Sequence, residues 1–141
     1  SSEIEFEFIN IIEMNKLIID VANENFFLVI ITNASIYNIK HENTKINYEK
    51  LTIIINDFLL SKNLKISDIN TIYINVGPGS FVGIRNSLSV IKAFNVAKKI
   101  DYFCYNLDDF KDEEDLSYEK IPDLCKKYKI KKNLINPIYL S

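Results

Sequence analysis

The chain has 141 residues, of which 48% are hydrophobic and 26% charged, with a formal net charge of −2. That length suits one compact domain with at most a small appendage, and that apolar share excludes wholesale disorder. The charge exerts no overall pull toward nucleic acid or anionic membrane, and no apolar run approaches the roughly 20 residues that cross a bilayer. The chain therefore reads as cytoplasmic. Cys104 and Cys125 stand alone, without the spacing of a disulfide framework or a zinc site.

Residues 1–13 are read as an appended extension, because Met14 is the sole methionine. The alternative is a native edge strand, since Glu3-Ile4-Glu5-Phe6-Glu7-Phe8 alternates acidic and apolar side chains. From Met14 the runs Lys16–Val21, Phe26–Thr32 and Ser35–His41 predict three strands joined by turn residues. Tyr48–Lys62 has helical periodicity, with Asn47 placed to cap it. Tyr48, Leu51, Ile54, Ile55, Phe58 and Leu59 share one face, while Ile53 and Leu60 lie nearly opposite. A helix on a sheet needs one apolar stripe, so the second strip predicts another contact.

An apolar strand, Thr71–Val76, leads into Gly77-Pro78-Gly79-Ser80 and a second helix, about Phe81–Lys99. Apolar positions cover well over half of that helix, and Arg85, Lys92 and Lys99 form a basic stripe. Tyr102–Tyr105 is a fifth short strand. The order β-β-β-α-β-α-β predicts a mixed α/β domain over 14–106, with three antiparallel strands followed by crossover units. Residues 107–141 are a reduced C-terminal segment. It is acidic over Asp108–Glu119 and basic over Lys126–Lys132, with a short helix from Pro122 to about Tyr128.

The glycine turn is the sharpest chemical feature. A strand ending in Gly-Pro-Gly and opening a helix at Ser80 suits an anion, because free N–H groups meet the positive end of the helix. The same residues also suit a plain structural turn in which Ser80 caps its own helix. Neither the P-loop nor the dinucleotide spacing fits: Gly83 precedes Ile84-Arg85, and Gly77, Gly79 and Gly83 are one residue too far apart. Asp20 ends the first strand, where a carboxylate either holds a magnesium ion or simply forms a turn. His41, the only histidine, has no nucleophile context, and no catalytic triad or metal cluster assembles. The charged C-terminal runs read as solvated faces that pair with each other, with tRNA contact by the lysines as the rival. The surplus apolar surface of the two helices marks an interface, unless the C-terminal segment covers it.

Gly77-Pro78-Gly79-Ser80-Phe81-Val82-Gly83-Ile84-Arg85 closely resembles the G-P-G-S-F-T-G-[VI]-R signature of the TsaB (YeaZ) family. Pro137-Ile138-Tyr139-Leu140 is similar to that family's late P-x-Y-L-R element. The resemblance implies an actin-like ATPase (ribonuclease H-like) fold with a mixed sheet of about five strands. It implies a non-catalytic subunit that pairs through two helices with TsaD, the catalytic subunit, and joins the ATPase subunit TsaE. That complex places threonylcarbamoyl on the adenosine beside the anticodon of tRNA. A homodimer through the same helices is the expected state in isolation. ATP or ADP and magnesium enter only through the partner subunits, tRNA is met indirectly, and no membrane is involved.

Departures weaken any nucleotide chemistry of this chain alone. Val82 replaces the usual Thr, Asp20-Val21-Ala22-Asn23 replaces D-T-S-T, and only about thirty-five residues follow Asn106. The expected residual phosphate-binding set is Gly77, Gly79, Ser80 and Asp20. The expected partner interface is Ile53, Leu60, Arg85, Leu88, Ile91, Lys92 and Phe94. No catalytic or metal residue is expected. The competing readings are a small stand-alone ATPase or peptidase-type enzyme, and a homodimeric binding module outside the tRNA pathway.

Overall fold

A computed structural model describes residues 14–22, 24–78, 81–98 and 100–131, with the side chains of 48, 81–84 and 95–98 left undescribed. The reading of 1–13 and the late P-I-Y-L element lie outside these residues. The elements are β1 (Lys16–Asp20), β2 (Asn25–Ile31), β3 (Ile36–Glu42), α1 (Lys45–Glu49), α2 (Leu51–Ser61), β4 (Thr71–Asn75), α3 (Phe81–Lys98), β5 (Asp101–Tyr105) and α4 (Ile121–Lys127). Strand order in the sheet is β3-β2-β1-β4-β5. The first three strands pair antiparallel, and β1, β4 and β5 run parallel. This is the mixed sheet expected from the element order.

β1 sits at the centre, where Leu17, Ile18 and Ile19 are all fully buried. A strand hydrogen-bonded on both edges and buried on both faces reads as a continuous apolar run rather than an alternating one. β3 is the opposite case: its residues alternate exposed and half-buried, as befits an edge strand with one wet face.

Each strand sends alternate side chains to opposite faces. Leu17, Ile19, Ile72 and Ile74 meet Leu51, Ile55, Phe58 and Leu59 of α2 and Ile91 and Phe94 of α3 on the helical face. Ile18, Val29, Tyr73 and Tyr105 point the other way, onto Phe110, Ile121, Leu124 and Cys125. The segment after β5 therefore covers the sheet face that the long helices do not. Among the described residues, Ile53 and Leu60 on the outer side of α2 stay exposed.

The helix expected over 48–62 is two pieces. It begins earlier, where Thr44 Oγ1 accepts from the Asn47 amide at 3.2 Å, so Thr44 and not Asn47 does the capping. Asn47 instead donates from Nδ2 to the Glu42 carbonyl at 2.7 Å. Between the pieces the Lys50 amide reaches Ile46 O at 3.1 Å and the Ile54 amide reaches Lys50 O at 2.9 Å, so the ladder carries across the break. α2 stops at Asn63, whose φ of 59° reverses the chain. Leu64 then donates to Leu59 O at 2.9 Å and Asn63 to Leu60 O at 3.0 Å, which satisfies the last carbonyls. No helix among the described residues is long and apolar enough to cross a membrane.

Phe110 is fully buried and stacks on Tyr105 with ring centroids 5.9 Å apart. Phe110→Ala should therefore cost about 3–5 kcal/mol in urea denaturation. A loss below about 1 kcal/mol would mean that the segment does not unfold with the sheet.

Candidate functional site

The carboxyl ends of β1, β4 and β5 lie side by side, and the period-2 alternation sends Asp20, Asn75 and Tyr105 to the same face there. Asp20 and Asn75 are buried polar residues. Buried polar groups need partners, and Asp20 has three. Its Oδ1 accepts from the Ala22 amide at 3.2 Å and from Asn75 Nδ2 at 3.1 Å. Its Oδ2 accepts from the Tyr118 hydroxyl at 2.8 Å. All three donors are neutral.

Asn75 passes the connection on, because its Oδ1 accepts from the Gly77 amide at 2.9 Å. Gly77 has φ of 147°, a region in which a Cβ would clash, so glycine is required here. The Gly77–Pro78 peptide is cis. The Gly77 carbonyl in turn accepts from the Leu107 amide at 3.0 Å. Gly79 and Ser80 lie outside the described residues. One hydrogen-bonded chain thus links Tyr118, Asp20, Asn75 and Gly77, and Leu107 ties the turn to the C-terminal segment.

Tyr118 plugs this end of the sheet. Its ring lies against Phe27 with centroids 5.5 Å apart. Its hydroxyl is held well above the usual range, by burial first and then by the charge and hydrogen bond of Asp20. The Tyr105 hydroxyl is likewise pushed up, by burial first and then by Asp20 and Tyr118. Tyr105 Oη is buried without a hydrogen-bond partner among the described residues. Both tyrosines therefore stay protonated, and one of them caps the carboxylate.

The Asp20 carboxylate as it is held here does not fit a magnesium ion. The Asp20 oxygens are engaged by backbone, amide and phenol, and no group of three His, Cys, Asp or Glu could hold a metal among the described residues. Magnesium takes oxygen ligands in near-octahedral geometry and keeps several waters, which this capped carboxylate does not offer. We derive no catalytic step through it.

The expected interface residues separate by face. Ile53 and Leu60 are 59% and 58% exposed on the outer side of α2. Arg85 is exposed on α3 and Lys92 half-buried. Ile91 and Phe94 are buried against the sheet, and Leu88 is half-buried beside them. Sequence reasoning missed Ile46 of α1, 63% exposed and seven residues before Ile53, although that spacing was there to be read. It also missed Tyr118, which lies ninety-eight positions from Asp20 and carries no local signal.

No protein-family model matches the chain, and no curated protein matches it. Solved structures do. YeaZ from Pseudomonas aeruginosa superposes with a TM-score of 0.61 at 17% identity, covering 66% of this chain and 44% of that one. A structure described as an uncharacterized protein with similarity to peptidase YEAZ, from the same organism, gives the same score and identity over 66% and 43%. RuvC from Thermus thermophilus, in complex with Holliday junction substrate, scores 0.50 at 9% identity over 90% and 85%. The chain has a YeaZ-like fold of the ribonuclease H-like, actin-like ATPase class, and it spans less than half the length of the YeaZ structures it matches.

Tyr118→Phe removes the donor to Asp20 Oδ2 and should cost about 1–3 kcal/mol at neutral pH. The raised folded value of Tyr118 means that its contribution is complete below the unfolded value of 10.0 and is lost as pH rises above it. Denaturation followed from pH 8 to pH 12 (a window of about 2 units either side of the unfolded value) should show a shallower alkaline decline for the variant. Identical alkaline slopes would refute the buried phenol–carboxylate pair.

Proposed function

We propose that the chain is a non-catalytic scaffold subunit of a tRNA threonylcarbamoyladenosine-forming complex. It pairs with a TsaD-like catalytic subunit through the outer face of α1 and α2 and the exposed side of α3. The observation that carries this reading is the row Ile46, Ile53 and Leu60. These three large apolar side chains are spaced by seven residues across α1 and α2, each more than half exposed. Isolated exposed apolar residues need no explanation, but a heptad-spaced row is the pattern of a helix that meets another helix.

Two further features support the reading. The nine-residue Gly77–Arg85 signature and the YeaZ-like fold agree on the family resemblance. The capped Asp20 fits a subunit whose task is geometric rather than chemical. Since Ile91 and Phe94 are spent on the sheet, the proposed contact set is Ile46, Ile53 and Leu60 with Arg85, flanked by Lys92 and Leu88. ATP and magnesium belong to the partners, including a TsaE-like ATPase. The tRNA is engaged by the assembly. In isolation the same face supports a homodimer.

The chain mixed with a TsaD-like subunit should co-elute in size-exclusion chromatography. Ile53→Asp with Leu60→Asp should abolish co-elution while circular dichroism stays unchanged, because both positions face solvent. Two interface anchors at about 2 kcal/mol each weaken affinity several hundredfold. Absence of co-elution by the unaltered chain, with and without ATP, sinks the proposal. Magnesium-dependent ATP turnover by the chain alone, lost in Asp20→Ala, would favour an enzyme instead.

A further inference from the structure

A cavity of about 700 Å³ opens at the amino ends of β1, β4 and β5, the end of the sheet far from Asp20. Its wall on the sheet side includes Tyr73 and Phe103, register neighbours on β4 and β5 whose rings stack at 5.5 Å and 16°. Lys16 lines it from the start of β1, and Lys126, Lys129 and Lys131 line it from α4 and the residues that follow. The acids in the lining are Asp101 and Asp123, so four positive and two negative side chains leave a local charge of +2. The whole chain carries −2, so the positive charge is concentrated here rather than inherited from composition.

A blander account covers part of this. Lysines at the end of a helix are favourable because they face its negative pole. Lys127 serves such a local purpose: it pairs with Glu113 at 2.5 Å and does not line the cavity. Lys129 is different. It occupies the reversal after α4 with φ of 55°, the Ile130 amide donating to Cys125 O at 2.9 Å and its own amide to Lys126 O at 3.2 Å. That is the same stop that ends α2, where the residue is Asn63. Glycine and asparagine take this left-handed geometry at little steric cost and lysine does not. At this sterically costly position the chain has a lysine, and that lysine lines the cavity.

We propose that this cavity binds a small phosphorylated ring compound, of the mononucleotide class. The volume lies within the roughly 300–1,000 Å³ of small-molecule sites, with aromatic lining for a ring and ammonium groups for phosphate. A long polyanion fits less well, because the same segment is acidic over Asp108–Glu119. The site is at the opposite end of the sheet from the glycine turn, and it does not depend on the scaffold reading.

Calorimetric titration of the full chain with AMP, ATP, inorganic phosphate and a short oligoadenylate tests this. AMP and ATP should bind, ATP more tightly, and both should weaken as salt is raised. Lys126→Glu with Lys129→Glu should lower ATP affinity roughly tenfold or more, whereas Lys40→Glu with Lys45→Glu, the same charge change at exposed positions outside the cavity lining, should alter it less than about twofold. Lys129→Gly should weaken binding yet raise the melting midpoint, opposite shifts that a purely structural lysine would not give. Affinity indifferent to the double reversal, inorganic phosphate binding as well as AMP, or oligoadenylate outcompeting ATP would each overturn the proposal.

Discussion

A sheet whose central strand is buried on both faces must be covered on both faces, and everything distinctive in this chain follows from how that is done. Leu17, Ile18 and Ile19 of β1 are completely buried, so neither face tolerates water. The helical face is covered by α2 and α3, the usual product of β-α-β crossovers. The other face has only the segment after β5, in which Phe110, Ile121, Leu124 and Cys125 supply the apolar cover. Burial there is thorough enough to hold the Tyr73 hydroxyl and the Cys125 thiol up at about 12, burial being the first cause for both. Cys125 is accordingly an inert core thiol rather than a reactive one.

That covering segment also settles what happens at the carboxyl ends of the parallel strands, where open α/β sheets ordinarily bind ligands. Asp20 would be costly to bury alone. Tyr118 brings a hydroxyl to one of its oxygens, and Asn75 and the Ala22 amide serve the other. The Asn75 side chain faces both ways, donating to Asp20 and accepting from Gly77, so the turn after β4 and the carboxylate after β1 are held as one unit. At the described start of the glycine turn Gly77 is thus fixed by the same side chain that holds the carboxylate.

What could be read from the sequence was what local periodicity encodes. The strands and the two long helices stand within a residue or two of their expected bounds, except at α1. There Thr44 captures the Asn47 amide and starts the helix three residues earlier. The hidden parts depend on distance along the chain. A helix apolar over most of its circumference does not say which face meets the sheet, so Ile91 and Phe94 of α3, expected at the interface, are found buried in the core against the sheet. The Tyr118–Asp20 bond joins residues ninety-eight positions apart, and no spacing rule reaches that far. The pairing of the acidic and basic runs was legible as complementary charge, and Lys127 with Glu113 is one such contact, with Tyr128 also donating to Glu113 at 2.8 Å. Those two hydrogen bonds, the lysine's first, hold the Glu113 carboxyl below the usual range.

The two faces also differ in what they leave free. On the helical side, the inner stripe of α2 is consumed by Leu51, Ile55, Phe58 and Leu59, which leaves Ile53 and Leu60 exposed, as is Ile46 of α1. That outer row needs only the sheet and its helical layer to be presented. On that other face, the same segment that closes the carboxyl end with Tyr118 carries its lysines to the amino end and builds the cavity there. One stretch of chain thus packs against the carboxylate at one end of the sheet and lines the cavity at the other. Ile53 and Leu60 belong to neither end: they take no part in the bond to Asp20 and do not line the cavity.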